Sequence, residues 1–152
     1  MAKAIVIYES VFGNTKHAAE TIIEGMKEGG VDATLSTPKE LDPNQLTDSD
    51  AVLVGSPNHM GGATRGIRKF IDKLGKLNLE GKLISVFDTH AGNEYGKAVK
   101  KMEKQIGEKA PSLKLSSPSL SIRVEGMRGP ITEGELPKCK EFGIIIANQL
   151  KG

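Results

Sequence analysis

Residues 4–8, Ala-Ile-Val-Ile-Tyr, form an unbroken apolar run rich in β-branched side chains and closed by polar residues and a glycine, the pattern of a strand buried on both faces. The period then changes. Ala18, Ala19, Ile22, Ile23 and Met26 recur at helical spacing across residues 15–27, and Gly29-Gly30 supplies a stop. Residues 31–36 predict a shorter, more polar strand, and residues 51–55 repeat the buried pattern after the Asp48-Ser49-Asp50 turn. Ile67, Phe70, Ile71 and Leu74 share one face of a second helix. Residues 83–87 are the next apolar strand, followed by a helix marked by Ala98, Val99, Met102 and Ile106. Leu120, Ile122 and Val124 alternate with polar residues, as in a half-exposed strand. Leu136, Cys139, Phe142, Ile146 and Leu150 make the inner stripe of a terminal helix, which places Cys139 in the core.

Strands alternating with helices call for a parallel sheet, because each right-handed crossover returns over the sheet to start the next strand. The two most apolar strands, at Ala4 and Ala51, belong side by side at its centre, with the polar second strand and the alternating fifth at the edges. The predicted fold is therefore α/β and doubly wound, a five-stranded parallel sheet of order 2-1-3-4-5 with helices on both faces. Ligands of such sheets bind at the carboxyl ends of the strands beside the switch point, so the loops after Tyr8, Gly55 and Phe87 are expected to hold the chemistry.

The 152 residues are the ordinary size of one domain, and residues 1–152 are expected to form one. Residues 110–119, with two prolines and four serines, read as the only linker-like stretch and are too short to separate domains. With 38% hydrophobic and 26% charged residues the composition is globular, and no apolar run approaches the roughly 20 residues that span a bilayer. The start of the chain lacks the features of a secretory signal, so a cytoplasmic location is expected. One cysteine and no Cys/His cluster leave neither an internal disulfide nor a zinc site to expect. A net charge of +2, with lysines spread through the helices, argues against a nucleic-acid partner.

The first loop, Glu9-Ser10-Val11-Phe12-Gly13-Asn14-Thr15, runs directly into a helix. Backbone N–H groups at a helix start, hydroxyls at Ser10 and Thr15, and a glycine that permits close approach make a phosphate cradle without any lysine or arginine. Neither a Gly-Lys-Ser/Thr P-loop nor a three-glycine dinucleotide fingerprint is present. The plainer alternative is that Ser10 and Asn14 cap the helix. The second loop reads Gly55-Ser56-Pro57-Asn58-His59-Met60-Gly61-Gly62, and the third Asp88-Thr89-His90-Ala91-Gly92-Asn93-Glu94-Tyr95-Gly96.

These three loops, in this order after these strands, resemble the flavodoxins, whose phosphate loop has the pattern Ser/Thr-x-Thr/Ser-Gly-x-Thr after the first strand. Ser10, Gly13 and Thr15 match it. Phe12 stands where many free-standing flavodoxins have a hydroxyl and is closer to the flavodoxin domains of flavodiiron proteins. The second loop is also similar to that of flavodoxin-like quinone reductases. The resemblance implies non-covalent FMN held by Ser10, Val11, Phe12, Gly13, Asn14 and Thr15 of the first loop and by Ser56, Pro57, Asn58, His59, Met60 and Gly61 of the second. The third loop would add Asp88, Thr89, His90, Gly92 and Tyr95.

The same resemblance implies an electron carrier with no catalytic side chain, working between redox proteins, a flavin or iron–sulfur reductase and an acceptor, as a monomer or small homo-oligomer. An NAD(P)H:quinone oxidoreductase is the alternative. A flavin-free receiver module on the same fold would need a phosphorylatable Asp where Gly55-Ser56-Pro57 stands. Three residue readings stay open. His59 and His90 are flavin-loop or solvated histidines, Tyr95 stacks on the flavin or packs on a helix start, and Arg65 and Arg68 pair with acids on a solvated helix face, with only Arg65 near enough to the second loop to serve it instead. The short 110–119 stretch matches the short-chain form, while the slightly basic balance departs from the strong acidity of free-standing flavodoxins.

Overall fold

A computed structural model of the chain describes residues 1–116 and 119–151. The apolar runs are strands β1 (Lys3–Tyr8), β2 (Asp32–Ser36), β3 (Ala51–Pro57) and β4 (Leu83–His90), joined by helices α1 (Asn14–Glu28), α2 (Pro43–Thr47), α3 (Arg65–Leu74) and α4 (Lys97–Lys109). Two further strands, β5 (Lys114–Leu115) and β6 (Leu120–Arg123), precede the terminal helix α5 (Leu136–Lys151). Among the described residues the six strands all pair in parallel, in the order β2-β1-β3-β4-β5, with β6 also on β4. No helix among the described residues is long and apolar enough to cross a membrane.

The sheet has the expected order, with its last position split in two. β4 pairs with β5 through Leu83 and Ile84, and with β6 from Phe87 to His90. β5 falls inside the stretch read as linker, of which residues 117 and 118 lie outside the described residues. α2 was not expected from hydrophobic periodicity. Its five residues are held by local chemistry: Pro43 at the first turn and a capping box between Asp42 and Gln45.

Alternation along the strands divides the core into two layers. Ile5, Ile7, Val52, Val54, Ile84 and Val86 face α3 and α4, while Ala4, Val6, Ala51, Leu53 and Phe87 face α1 and α5. Cys139 lies in the second layer as expected, fully buried, and burial pushes its thiol pKa up to about 12, so it is an inert core group. α1 and α5 meet backbone to backbone. A Cβ on Gly25 would come within 2.0 Å of the Lys140 carbonyl oxygen, and one on Gly143 within 2.1 Å of the Ile22 carbonyl oxygen. This approach fixes α1, and with it the N-terminus of α1 at the carboxyl edge of the sheet.

Two strands run further than hydropathy predicts. β3 continues to Pro57 and β4 to His90, so Asp88, Thr89 and His90 are strand residues and not loop residues. Their polar atoms made them look like loop, but the tertiary structure engages two of the three. Asp88 bonds to α4 and β6, and the Thr89 hydroxyl to Thr15.

Candidate functional site

The connections leaving β1, β3 and β4 converge where the strand order reverses. Between them, and under a fourth segment at residues 124–131, is a cavity of about 630 Å³, within the range of small-molecule sites.

One wall is the first loop with the start of α1. Gly13 is the N-cap, left-handed at φ 92°, with no side-chain cap and no acidic residue in the first turn. The other early helices satisfy their N-termini from within. Asp42 caps α2, Thr64 caps α3, and Asp88 accepts the Val99 N–H of α4. The first-turn donors of α1 are left for a ligand, and Ser10, Asn14 and Thr15 line the cavity beside them. The capping alternative for Ser10 and Asn14 is therefore not realised. Ser10 Oγ instead accepts the Gly13 N–H at 3.0 Å, and the Thr15 and Thr89 hydroxyls share a buried 2.8 Å bond that ties α1 to β4.

The second loop is fastened to the first. Thr64 N–H donates to Ser56 Oγ at 3.0 Å, and the Thr64 hydroxyl donates to the Glu9 carboxylate, which sits against Gly66. At the tip, His59 and Gly62 exchange both backbone hydrogen bonds, at 2.7 and 3.0 Å, around Met60 at φ 51° and Gly61 at φ 83°. Two consecutive positive φ angles match a type I′ turn, where Gly61 is at home and Met60 is unusual. Met60 and His59 are exposed and line the cavity, and Asn58 donates its backbone N–H to the Thr89 carbonyl at 2.8 Å.

The third connection departs most from expectation. Asp88 is fully buried and outside the cavity. Ser121 Oγ–H donates to its Oδ1 at 2.5 Å, while Val99 N–H donates to its Oδ2 at 3.1 Å. It is a positioning group for α4 and β6. Tyr95 is 72% exposed and does not line the cavity, its ring standing edge-on to His90 at 5.3 Å. His90 does line the cavity and is 4% exposed, with both ring nitrogens unpartnered. It is thus no solvated loop residue, and burial holds its pKa below the usual histidine value. The buried Asn58 Oδ1 is likewise unpartnered.

Of the residues expected to hold a cofactor, Ser10, Val11, Phe12, Asn14, Thr15, Pro57, Asn58, His59, Met60, Thr89 and His90 come together around the cavity. Gly13, Ser56, Gly61, Asp88, Gly92 and Tyr95 do not line it, though Gly13, Ser56 and Gly61 shape the loops that do. Sequence reasoning missed Ala91, Glu94, Val124 and Met127. The last two belong to the 124–131 segment, closed by the Val124–Ile131 bridge and stacked on the first loop with Arg128 5.4 Å from the Phe12 ring centroid. The signal available for it was Glu125-Gly126-Met127-Arg128-Gly129-Pro130, a turn-rich stretch with a bare methionine.

Asp88 yields a stability prediction. Desolvation raises its pKa to about 6 despite the bonds from Ser121 and Val99, whereas the unfolded carboxyl ionises near 3.8. Between those values the folded state holds the extra proton, so this group's contribution to stability falls as pH rises from about 4 to about 6, by about 3 kcal/mol. Urea midpoints across that window are expected to show the fall in the wild type and lose it in Asp88→Asn. Identical pH slopes for the two proteins would refute the assignment.

A cavity at the switch point of a doubly wound parallel sheet, with an uncapped helix start at one end and the unpartnered Asn58 Oδ1 and His90 ring nitrogens inside, is where sheets of this class bind their ligands. The chain belongs to the flavodoxin domain family, whose model matches residues 5–123. A flavodoxin structure from the domain Archaea superposes with a TM-score of 0.86 at 29% identity, covering 99% of both chains. Among curated relatives, an NAD(P)H dehydrogenase (quinone) of Archaeoglobus fulgidus is 30% identical over 127 residues, 62% of this chain and 66% of that protein. A flavodoxin of Clostridium saccharobutylicum is 31% identical over 88 residues, 57% of this chain and 55% of that protein. The chain thus spans two thirds or less of the length of the curated relatives it matches. Family membership carries the cofactor, FMN, and a flavin-binding role in oxidation–reduction or electron carriage.

Proposed function

We propose that the protein is an electron carrier that holds FMN in this cavity and exchanges electrons with other redox proteins. The observation that carries this reading is the uncapped start of α1 at one end of the cavity and, at the other, the buried His90 ring nitrogens and Asn58 Oδ1, which have no protein partner. A buried polar group without a partner costs about 1–3 kcal/mol, so these groups fit a ligand that supplies hydrogen bonds. The α1 start, with Ser10 and Thr15, would take the phosphate. Asn58, His59, Met60 and His90 would take the ring system, with Val11, Phe12 and Met127 shielding its faces from water. FMN supplies the one- and two-electron chemistry. The chain's side chains bind, orient and tune it, and none need act as acid or base.

The carrier reading is supported by the likeness to the archaeal flavodoxin structure, which extends over 99% of this chain at 29% identity. The names of the quinone dehydrogenase relatives support the second reading, direct oxidation of NAD(P)H by a quinone. Anaerobic mixing separates the two. FMN-loaded protein is expected to stay oxidised with NADPH or NADH alone and to be reduced once a flavoprotein reductase is added. Steady turnover of NAD(P)H with benzoquinone, at the roughly 1–1,000 s⁻¹ of ordinary enzymes, would overturn the carrier reading.

A further inference from the structure

We propose that the face built by α3 and α4 is the docking surface for a small redox protein that carries an acidic collar around its own redox centre. The proposal rests on the carrier reading above and names the chemistry of the partner.

The modest net charge hides a strong asymmetry. α3 and α4 together hold nine Lys or Arg against three Asp or Glu. The rest of the chain holds twelve against sixteen. The excess sits on two adjacent helices on one side of the sheet, so the molecule is an electrostatic dipole with a basic face.

Within that face lies a cleft of about 460 Å³ whose lining includes Arg65, Arg68 and Lys101. Among the described residues none of these three cations makes an ion pair. Those found among the described residues are Lys97–Glu94, Lys138–Glu135 and Lys140–Glu28. The expectation that Arg65 and Arg68 pair with acids on their own helix face is thus corrected. Asp72, one turn after Arg68, instead accepts the Gln105 amide at 2.9 Å, and the same amide donates to the Arg68 carbonyl at 2.7 Å. The Gln105 amide joins α3 to α4 through Asp72, and no ion pair between Asp72 and Arg68 is found among the described residues.

The cleft adjoins the flavin cavity, since His59 and Met60 line both. Around that shared rim Val11, Phe12, Met60 and Met127 are all exposed, an apolar centre flanked on one side by unpaired cations. Protein interfaces have this anatomy, and charge complementarity at the flank raises encounter rates and sets orientation. The extent of the charge favours a protein. The cations spread along helices of 10 and 13 residues, about 15–20 Å long, more than one small anion engages. A nucleic acid would run past this face onto surfaces where acids predominate, whereas a compact acidic protein ends within it.

The test uses isotope-labelled, FMN-loaded protein titrated with a plant-type [2Fe–2S] ferredoxin as the acidic probe and cytochrome c as the basic one. Ferredoxin is expected to broaden amide signals of α3, α4 and residues 58–62, with affinity falling at least tenfold between about 50 and 500 mM salt. An Arg68→Glu, Lys101→Glu double variant should bind it about tenfold more weakly. The double reversal Lys27→Glu, Lys114→Glu, with the same change in net charge, should leave binding unaltered. The proposal is overturned if cytochrome c binds this face more tightly than ferredoxin, if both reversals weaken ferredoxin equally, or if a short DNA duplex broadens the same signals as strongly at equal salt. FMN affinity, followed separately by fluorescence quenching, should be unchanged in both double variants. A protein that never bound FMN would refute the cofactor site while the amide titration still reported on docking.

Discussion

Riboflavin is expected to bind this protein about a thousandfold more weakly than FMN. The two ligands differ only in the phosphate, and the structure offers that group an unusual set of donors. α1 begins at a left-handed Gly13 with no side-chain cap, while α2, α3 and α4 have protein acceptors at their first turns. Ser10 and Thr15 add hydroxyls at the same end of the cavity, and no lysine or arginine lines it. Neutral N–H and O–H donors and the positive end of the helix would therefore carry the dianion. Leaving two or three buried donors unpaired costs about 4 kcal/mol in total, which corresponds to about three decades in Kd. Quenching of flavin fluorescence measures both constants. Ser10→Ala should weaken FMN about tenfold and leave riboflavin nearly unchanged. Thr15→Val should do the same, with some loss of stability because the Thr89 hydroxyl loses its partner. Equal dissociation constants for FMN and riboflavin would remove the phosphate from this loop.

Gly143→Val should cost more than about 3 kcal/mol of folding stability and is expected to leave the protein largely unfolded at 37 °C. Overpacking a core with extra methyl groups ordinarily costs about 1–3 kcal/mol because side chains yield. Here the obstacle is backbone. The new Cβ would lie 2.1 Å from the Ile22 carbonyl oxygen and 2.9 Å from the Met26 nitrogen, atoms that α1 cannot move without breaking its own hydrogen bonds. Gly25→Val should behave alike, since its Cβ would meet the Lys140 carbonyl oxygen at 2.0 Å. Gly107→Ala is the contrasting substitution. It stands in α4 with nothing near its Cβ, and relief of backbone entropy should stabilise the protein by about 0.5–1 kcal/mol. Urea unfolding midpoints check all three, and a Gly143→Val midpoint equal to that of the wild type would mean that α1 and α5 do not touch through backbone.

The same contact links stability to the site. α1 carries the proposed phosphate-binding turn at one end, and its position is set by α5 at the other. Gly143→Ala brings the same Cβ against the Ile22 carbonyl without the further methyl groups of valine, and any of that protein that folds is expected to bind FMN more weakly because α1 is displaced, with no change in any residue that touches the ligand.

What the sequence determined by itself was the parallel α/β architecture, its order and the three loops that meet at the switch point. Those follow from local rules. A strand buried on both faces must be apolar throughout, a helix packed on a sheet must repeat with its own period, and right-handed crossovers then leave few arrangements. Ser10, Gly13 and Thr15 could be read as a candidate phosphate turn for the same reason, since such a turn is built from neighbours in sequence.

Tertiary structure alone decided the fate of polar residues whose partners are distant. Asp88 and Thr89 read as loop until Val99, Ser121 and Thr15 arrive to bond them. His90 had two readings, a flavin-loop or a solvated histidine, until the cavity buried it without a partner. Arg68 has an acid at helical spacing, yet Asp72 meets Gln105 of another helix and no ion pair with Arg68 forms among the described residues. Hydropathy reports how a residue interacts with water, and over a few neighbours this decides secondary structure. Whether a polar group is satisfied, stranded or left for a ligand depends on atoms dozens of residues away, and only the folded chain brings those within 3 Å.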